Sequence, residues 1–207
     1  MQLKMIRSKL NFKLFLLIIT SLLCLNSYVG TTKEKSSFIT LGNENAPVKI
    51  KIFSSFTCPH CANFHIKIFP EIKENYVESG KVQMIFIDFP LDQSAFNASK
   101  LLHCLDKEKQ IAFMDTIYEK QSLWTSGNNE IEINDNLKTI SKNFGIDSVQ
   151  FNKCLNDNII SDRILNGRID AQKKYSINST PTIVINEKKF TGDVSFKNLQ
   201  KKIEKLI

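Results

Sequence analysis

The chain lacks several features that would widen the choice of architecture. No segment repeats and none is low in complexity, so repeat architectures are excluded. No apolar run approaches the ~20 residues of a membrane-spanning helix. The longest near the N-terminus, Leu14–Leu25, has 12. Acidic residues are missing from positions 1–30, which carry Lys4, Arg7, Lys9 and Lys13. The formal net charge of +7 is therefore misleading. Removing those four cations leaves 24 basic against 21 acidic residues, a net of +3. A domain so near neutrality makes no case for nucleic-acid binding. There is one Cys-x-x-Cys and no second, and one tryptophan, Trp124, expected in the core or as a lid over it.

What is present points to export. Four cations followed by a 12-residue apolar core match a secretory signal peptide. Residues 1–30 read as a signal peptide with its cleavage region, small residues standing at Ser27 and Gly30, or as an uncleaved anchor. Cys24, just after the apolar core, raises a lipidation site, but Leu23 before it is not small. Residues 31–207, in a chain 42% hydrophobic, suit one domain with a real core. That domain keeps four cysteines, Cys58, Cys61, Cys104 and Cys154. An even number in an exported chain points to an oxidising compartment and two pairs. Cys58 and Cys61 are close in sequence, which leaves Cys104–Cys154 as a structural disulfide; two buried free thiols are the alternative.

The stretch that organises the chain is Phe53-Ser-Ser-Phe-Thr-Cys58-Pro59-His60-Cys61. The apolar run Val48–Phe53 leads in as a strand. Cys61, Phe64, Ile68 and Ile72 then recur on one helical face. The dithiol thus sits where a strand becomes a helix. Free N–H groups and the helix dipole there stabilise a thiolate at Cys58. Pro59 fits the first turn, where a missing N–H costs nothing. His60 is placed to stabilise the same thiolate by hydrogen bond or charge. Cys61 lies in reach for a disulfide and faces the core.

Around this stretch the pattern predicts a short strand near residues 38–41. The first helix runs to about Glu78, disturbed at Pro70. A buried strand follows at Val82–Asp88. Successive short helices are predicted at Ala95–Leu105, Gln110–Gln121, Asn136–Asn143 and Ser148–Leu155, forming a helical insertion over about 94–158. His103 reads as a surface or packed histidine rather than a ligand. A long helix over about Ile159–Tyr175 follows, then strands at Thr182–Ile185 and Lys189–Thr191. The last helix carries an apolar stripe of Phe196, Leu199, Ile203 and Leu206 toward the core. A β-α-β unit gives parallel neighbours and the closing hairpin antiparallel ones. The fold class is α/β, a thioredoxin-like fold with a helical insertion.

These residues resemble the DsbA-type thiol–disulfide oxidoreductases, periplasmic bacterial proteins of the thioredoxin superfamily. The likeness spans about residues 38–207. It rests on Phe56-Thr57-Cys58-Pro59-His60-Cys61, the helical insertion, the stretch from Phe113 to Trp124, and Thr180-Pro181-Thr182 before a strand. The resemblance implies that Pro181 is cis and lies against the cysteine pair, with the Thr180 backbone free to bind an extended substrate peptide. It implies a monomeric periplasmic enzyme without cofactor that introduces disulfides into exported proteins, reoxidised by a quinone-linked membrane protein of the DsbB type. Two positions depart from the family. Ile52 stands where many members carry a buried acid, six residues before the first cysteine. Thr180 stands where the best-known members have valine. A disulfide isomerase or reductase with the same site is the first alternative. A metal-binding protein using Cys58, Cys61 and His65 is a remote one.

Overall fold

The computed structural model describes residues 38–207; the leader, with its signal-peptide, anchor and Cys24 readings, lies outside the described residues. The sheet has five strands: β1 (Ile39–Leu41), β2 (Val48–Ser54), β3 (Val82–Asp88), β4 (Thr182–Ile185) and β5 (Lys188–Lys189). Their order is β1-β3-β2-β4-β5. β2 and β3 are parallel, with Ser54 opposite Asp88. The remaining neighbours are antiparallel.

Alternation along the central strands divides the core in two. Val48, Ile50, Ile52, Val82, Met84 and Phe86 join one apolar cluster. Phe53, Ile85 and Ile87 face the other, with Phe89, Ala171, Ile177 and Val184. Both faces of the sheet are covered, which is why β3 reads as an unbroken apolar run.

The helix after β2 is not a uniform α-helix. It begins as α1 (Pro59–Asn63), widens into a π-helical turn over Phe64–Ile68, resumes as α2 (Phe69–Ile72) and widens again over Lys73–Val77. Pro70 falls in the first turn of α2, where its missing N–H is tolerated. The disturbance expected at Pro70 thus takes the form of a π-turn just before it.

The insertion holds α3 (Gln93–Cys104), α4 (Lys107–Glu119), the short α5 (Gln121–Trp124), α6 (Glu130–Lys142) and α7 (Ser148–Leu155). The long α8 (Asn158–Tyr175) follows. Three of these helices start on an aspartate whose carboxylate accepts a backbone N–H: Asp92 from Ala95, Asp147 from Gln150 and Asp157 from Ile160. α6 starts at Glu130, six residues before the predicted start. The cause is a reciprocal cap: Asn129 Oδ1 accepts from the Glu132 N–H at 3.0 Å, and Glu132 Oε1 accepts from Asn129 Nδ2 at 3.1 Å.

β4 turns into β5 through Asn186 and Glu187, both at positive φ, as a tight two-residue hairpin requires. β5 is only two residues long and ends at Lys189, short of the predicted Thr191. The closing helix, α9 (Phe196–Glu204), buries Leu199 and Ile203. Leu206 corrects the predicted stripe: the helix stops before it, and it is 37% exposed.

Candidate active site

β2 delivers the chain to a tight loop, Ser55-Phe56-Thr57, and Cys58 follows as the N-cap of α1 with extended backbone angles. Its N–H donates to the Ser55 carbonyl at 3.2 Å, and its own carbonyl accepts from Cys61 and Ala62 at 3.1 Å. Pro59 occupies the first turn of α1. Cys58 and Cys61 are free thiols in this structure. Cys61 is buried at 1% exposure, as its core-facing position implies, and Cys58 is also enclosed, at 7%.

The β4 end of the sheet closes over the pair. The peptide bond between Thr180 and Pro181 is cis. Cys58 Sγ donates to the Thr180 carbonyl at 3.3 Å. Thr180 Oγ1 is buried without a hydrogen-bond partner, yet its dipole favours the ionised form of both cysteines. His60, Asn63, Phe64, Ile68, Thr180, Pro181, Asp193 and Val194 line a groove of about 290 Å³ beside the pair.

The two sulfurs are driven apart electrostatically. Cys58 is lowered to about 5, first by the hydrogen bond from the Cys61 thiol. Thr180 and the backbone N–H groups of Cys61 and His60 also lower it, and burial opposes them. Cys61 is pushed up, because its thiol donates to Cys58 and because it is buried. The first proton to leave is therefore that of Cys58, while Cys61 stays a thiol, and its loss ends the S–H bond to the Thr180 carbonyl. His60 enters this balance through its main chain; its side chain is exposed on the groove wall.

Three positions outside the motif hold the loop. Gln121 Nε2 donates to the Phe56 and Cys58 carbonyls at 2.7 and 3.0 Å. Thr57 Oγ1 donates to Asp92 Oδ2 at 2.6 Å, which ties the loop to the N-cap of α3. The Leu91 N–H donates to Ser55 Oγ at 3.3 Å. Gln121 carries no signal of its own in the sequence beyond its place inside the Phe113–Trp124 stretch.

His65 turns away from the cysteines. Its Nε2 lies 2.6 Å from Asp115 Oδ1, and its ring stacks on Phe69 and Tyr118. Cys104 and Cys154 are bonded to each other, joining the end of α3 to α7 across 50 residues. Ile52 is fully buried in β2. Among the described residues no helix is long and apolar enough to cross a membrane.

Comparison with known proteins places this geometry. A family model described as thioredoxin matches residues 34–205. A Rickettsia prowazekii protein named putative protein-disulfide oxidoreductase is 30% identical over 179 residues, 86% of this chain and 64% of that one. This chain thus spans just under two thirds of that relative's length. A Bacillus cereus protein named probable disulfide bond formation protein D is 30% identical over 172 residues, 80% of this chain and 77% of that one. The crystal structure of Wolbachia pipientis alpha-DsbA1 superposes with a TM-score of 0.73 and 32% identity, covering 82% of this chain and 90% of that one.

Proposed function

We propose, for a chain that belongs to the DsbA-type branch of the thioredoxin family and is a protein-disulfide oxidoreductase, that Cys58 and Cys61 are its redox pair and that it oxidises exported proteins. What supports this reading is the placement of the pair, Cys58 at the N-cap of α1 with its sulfur 3.3 Å from the Thr180 carbonyl and Cys61 buried behind it, an arrangement that lowers Cys58 to about 5 and pushes Cys61 up. In the oxidised enzyme a substrate thiolate attacks Cys58 Sγ. The Cys58–Cys61 bond breaks with its electron pair on Cys61, and a mixed disulfide forms. A second substrate thiolate attacks the substrate sulfur of that mixed disulfide, the substrate leaves with a disulfide, and Cys58 leaves as thiolate. Cys58 departs easily because its thiolate is stabilised in place.

Pro59 sets the first helical turn without needing an N–H, and His60 supplies a backbone donor to Cys58 and part of the groove wall. Thr180 and Pro181 line the same groove and present the Thr180 main chain to an extended peptide. The cationic, apolar leader supports export to the periplasm, by a cleaved signal or a retained anchor. A DsbB-type quinone-linked membrane protein would return Cys58 and Cys61 to the disulfide, and the Cys104–Cys154 bridge is structural. The decisive experiment is equilibration of the pair with glutathione, together with oxidation of a reduced dithiol peptide. An oxidase forms the peptide disulfide and holds its own pair weakly. A pair that stays oxidised in reducing glutathione buffer assigns the chain to a reductase or isomerase instead.

A further inference from the structure

The groove beside Cys58 is lined at one side by Asp193 and Val194, and a second hollow begins at Gly192, the residue before them. This hollow has a volume of about 390 Å³ and lies between the Phe190-Thr191-Gly192 segment and α9. From α9 and its C-cap come Asn198, Lys201, Lys202 and Lys205, spaced i, i+3, i+4 and i+7 and so stacked on one face. Leu199 and Ile203 take the buried face of the same helix. Asn198 Nδ2 donates to the Asp193 carbonyl at 3.2 Å, which ties the helix to the segment that both hollows share.

Three ammonium groups line this hollow and no carboxylate does. Among the described residues, Lys201, Lys202 and Lys205 have no ion-pair or hydrogen-bond partner for their side chains. Glu204, the only acid of α9, is committed elsewhere: its Oε1 accepts from Tyr76 and from Gln200, both at 3.0 Å. Gly192 brings bare main chain to the wall, for its φ is +127° and a Cβ there would meet nothing within 4 Å. Thr191 adds an exposed hydroxyl and Phe190 a half-buried ring. The helix dipole accounts for lysines in the last turn of α9. It does not account for an acid-free hollow that adjoins the groove at Cys58.

We propose that this hollow is the outer part of the substrate path, where Lys201, Lys202 and Lys205 bind carboxylates of the polypeptide whose cysteine reacts at Cys58. The subsite rests on Cys58 and Cys61 being the redox pair of an oxidase. The signs of charge change along the path. Beside Cys58, Asp193 puts a carboxylate in the groove; one residue on, the lining turns cationic. An acid next to the substrate cysteine meets Asp193 and is repelled, while an acid further off meets the lysines and is held. Acids about three to six residues from the cysteine lie about 10–20 Å away along an extended chain. One exposed ion pair gains little, but three acting together are enough to select among substrates. A flat anionic membrane would touch the lysines and leave the hollow and Gly192 unused. Continuity with the groove at Cys58 favours a polypeptide.

The test uses oxidised protein and reduced two-cysteine peptides. The peptides differ only in carrying three Glu or three Gln, placed about three to six residues from one cysteine on either side. Each rate is divided by that peptide's rate with hydroxyethyl disulfide, a neutral oxidant, which removes the effect of Glu on the peptide's own thiols. The Glu peptide is expected to react about five- to tenfold faster at about 20 mM salt, and less than about twofold faster at about 0.5 M, where the charges are screened. Lys201→Gln, Lys202→Gln and Lys205→Gln together should bring the ratio to about one. Lys201→Glu, Lys202→Glu and Lys205→Glu together should turn the preference toward peptides carrying Lys. Lys197→Gln, on the same helix but outside the hollow, should leave the ratio as it was. Lys201→Gln with Lys205→Gln, both at exposed positions, gives a folded variant if the triple one unfolds. Equilibrium binding of the same peptides with serine for cysteine reads the hollow without redox chemistry. Glu and Gln peptides bound and oxidised alike would overturn the subsite, as would a Glu preference that survives the triple Gln variant. Lysine-dependent binding to phosphatidylglycerol vesicles, with no preference among peptides, would overturn it too and make this surface a membrane contact. If no peptide is oxidised but the Glu preference holds in binding, the oxidase reading fails and the subsite stands.

Discussion

Cys58 Sγ and the backbone carbonyl of Thr180 lie 3.3 Å apart, although 122 residues separate them in the chain. The nucleophile is thus held by the same main chain that a bound peptide would use. Ionisation of Cys58 removes the S–H donor and releases the carbonyl for an incoming N–H. A cysteine peptide supplied as its mixed disulfide with a small aromatic thiol, and N-methylated at the position that pairs with Thr180, should transfer to Cys58 of Cys61→Ser with release of the aromatic thiolate about five- to tenfold more slowly than the unmethylated peptide. That corresponds to one hydrogen bond of about 1 kcal/mol. Equal rates for the two peptides would show that Thr180 does not bind substrate backbone.

Cys58→Ser should abolish oxidation of reduced peptides, and Cys61→Ser should accumulate mixed disulfides, because only Cys58 is held as a thiolate. Iodoacetamide should modify reduced protein first at Cys58. The pH dependence of that alkylation should centre near 5, with Cys61 unreactive through pH 8. Labelling of Cys61 ahead of Cys58 would reverse the assigned roles.

The two forms of the enzyme should differ in stability with pH. The folded Cys58 value is depressed, so its contribution to the reduced form is complete above the ordinary thiol range and disappears as pH falls through about 5. At pH 7 about two units of it apply. After reduction for the solvent that reaches the sulfur, this is on the order of 2 kcal/mol, or about 40 mV toward a more oxidising pair. Cys61 is shifted the other way, so above about pH 8.5 it costs the reduced form stability. Thermal melts should therefore show the reduced protein gaining on the oxidised one from pH 5 upward and turning over above pH 8.5. An oxidised form more stable than the reduced one at pH 7 favours the reductase or isomerase reading.

Gln121→Ala should lower stability by about 1–3 kcal/mol, since the Phe56 and Cys58 carbonyls lose a partly buried donor together. Gln121→Glu should raise the Cys58 alkylation midpoint as well, by placing a carboxylate where an amide donated. Urea unfolding and the alkylation profile read the two effects separately.

Cys104→Ser with Cys154→Ser should cost about 2–4 kcal/mol, because the bridge closes a loop of 50 residues. Peptide oxidation by the folded variant should persist, since neither cysteine lines the groove. Urea unfolding and a peptide-oxidation assay check the two statements. Loss of oxidation in a folded variant would give the second pair a redox role.

Much of this architecture was legible in the sequence. The strand-to-helix placement of Cys58 followed from Val48–Phe53 and the 3.6-residue recurrence after Cys61. The order of strands and helices followed from period and turn residues. What escaped was set by contacts between distant residues or by small geometric choices. The π-turn at Phe64–Ile68 leaves no mark in apolar periodicity. The start of α6 depended on an Asn129–Glu132 cap lying ahead of the apolar pattern. Gln121 and Asp92 act on the active-site loop from 63 and 35 residues away. His103, which the sequence leaves as a surface or packed histidine, is packed, and its bond to Asp88 is a tertiary fact. Leu206 kept the helical spacing of the core stripe and fell outside only because the helix stops at Glu204.

Trp124 is the only tryptophan in the chain and is almost wholly enclosed, its indole N–H donating to the Ile117 carbonyl at 2.9 Å. It ends the same short helix, α5, that begins with Gln121, and Gln121 grips the Cys58 carbonyl. A single fluorophore in fixed surroundings is therefore coupled mechanically to the sulfur that changes charge. Its emission is expected to shift when the Cys58–Cys61 bond opens or closes, and fluorescence spectra of the two forms recorded side by side check this.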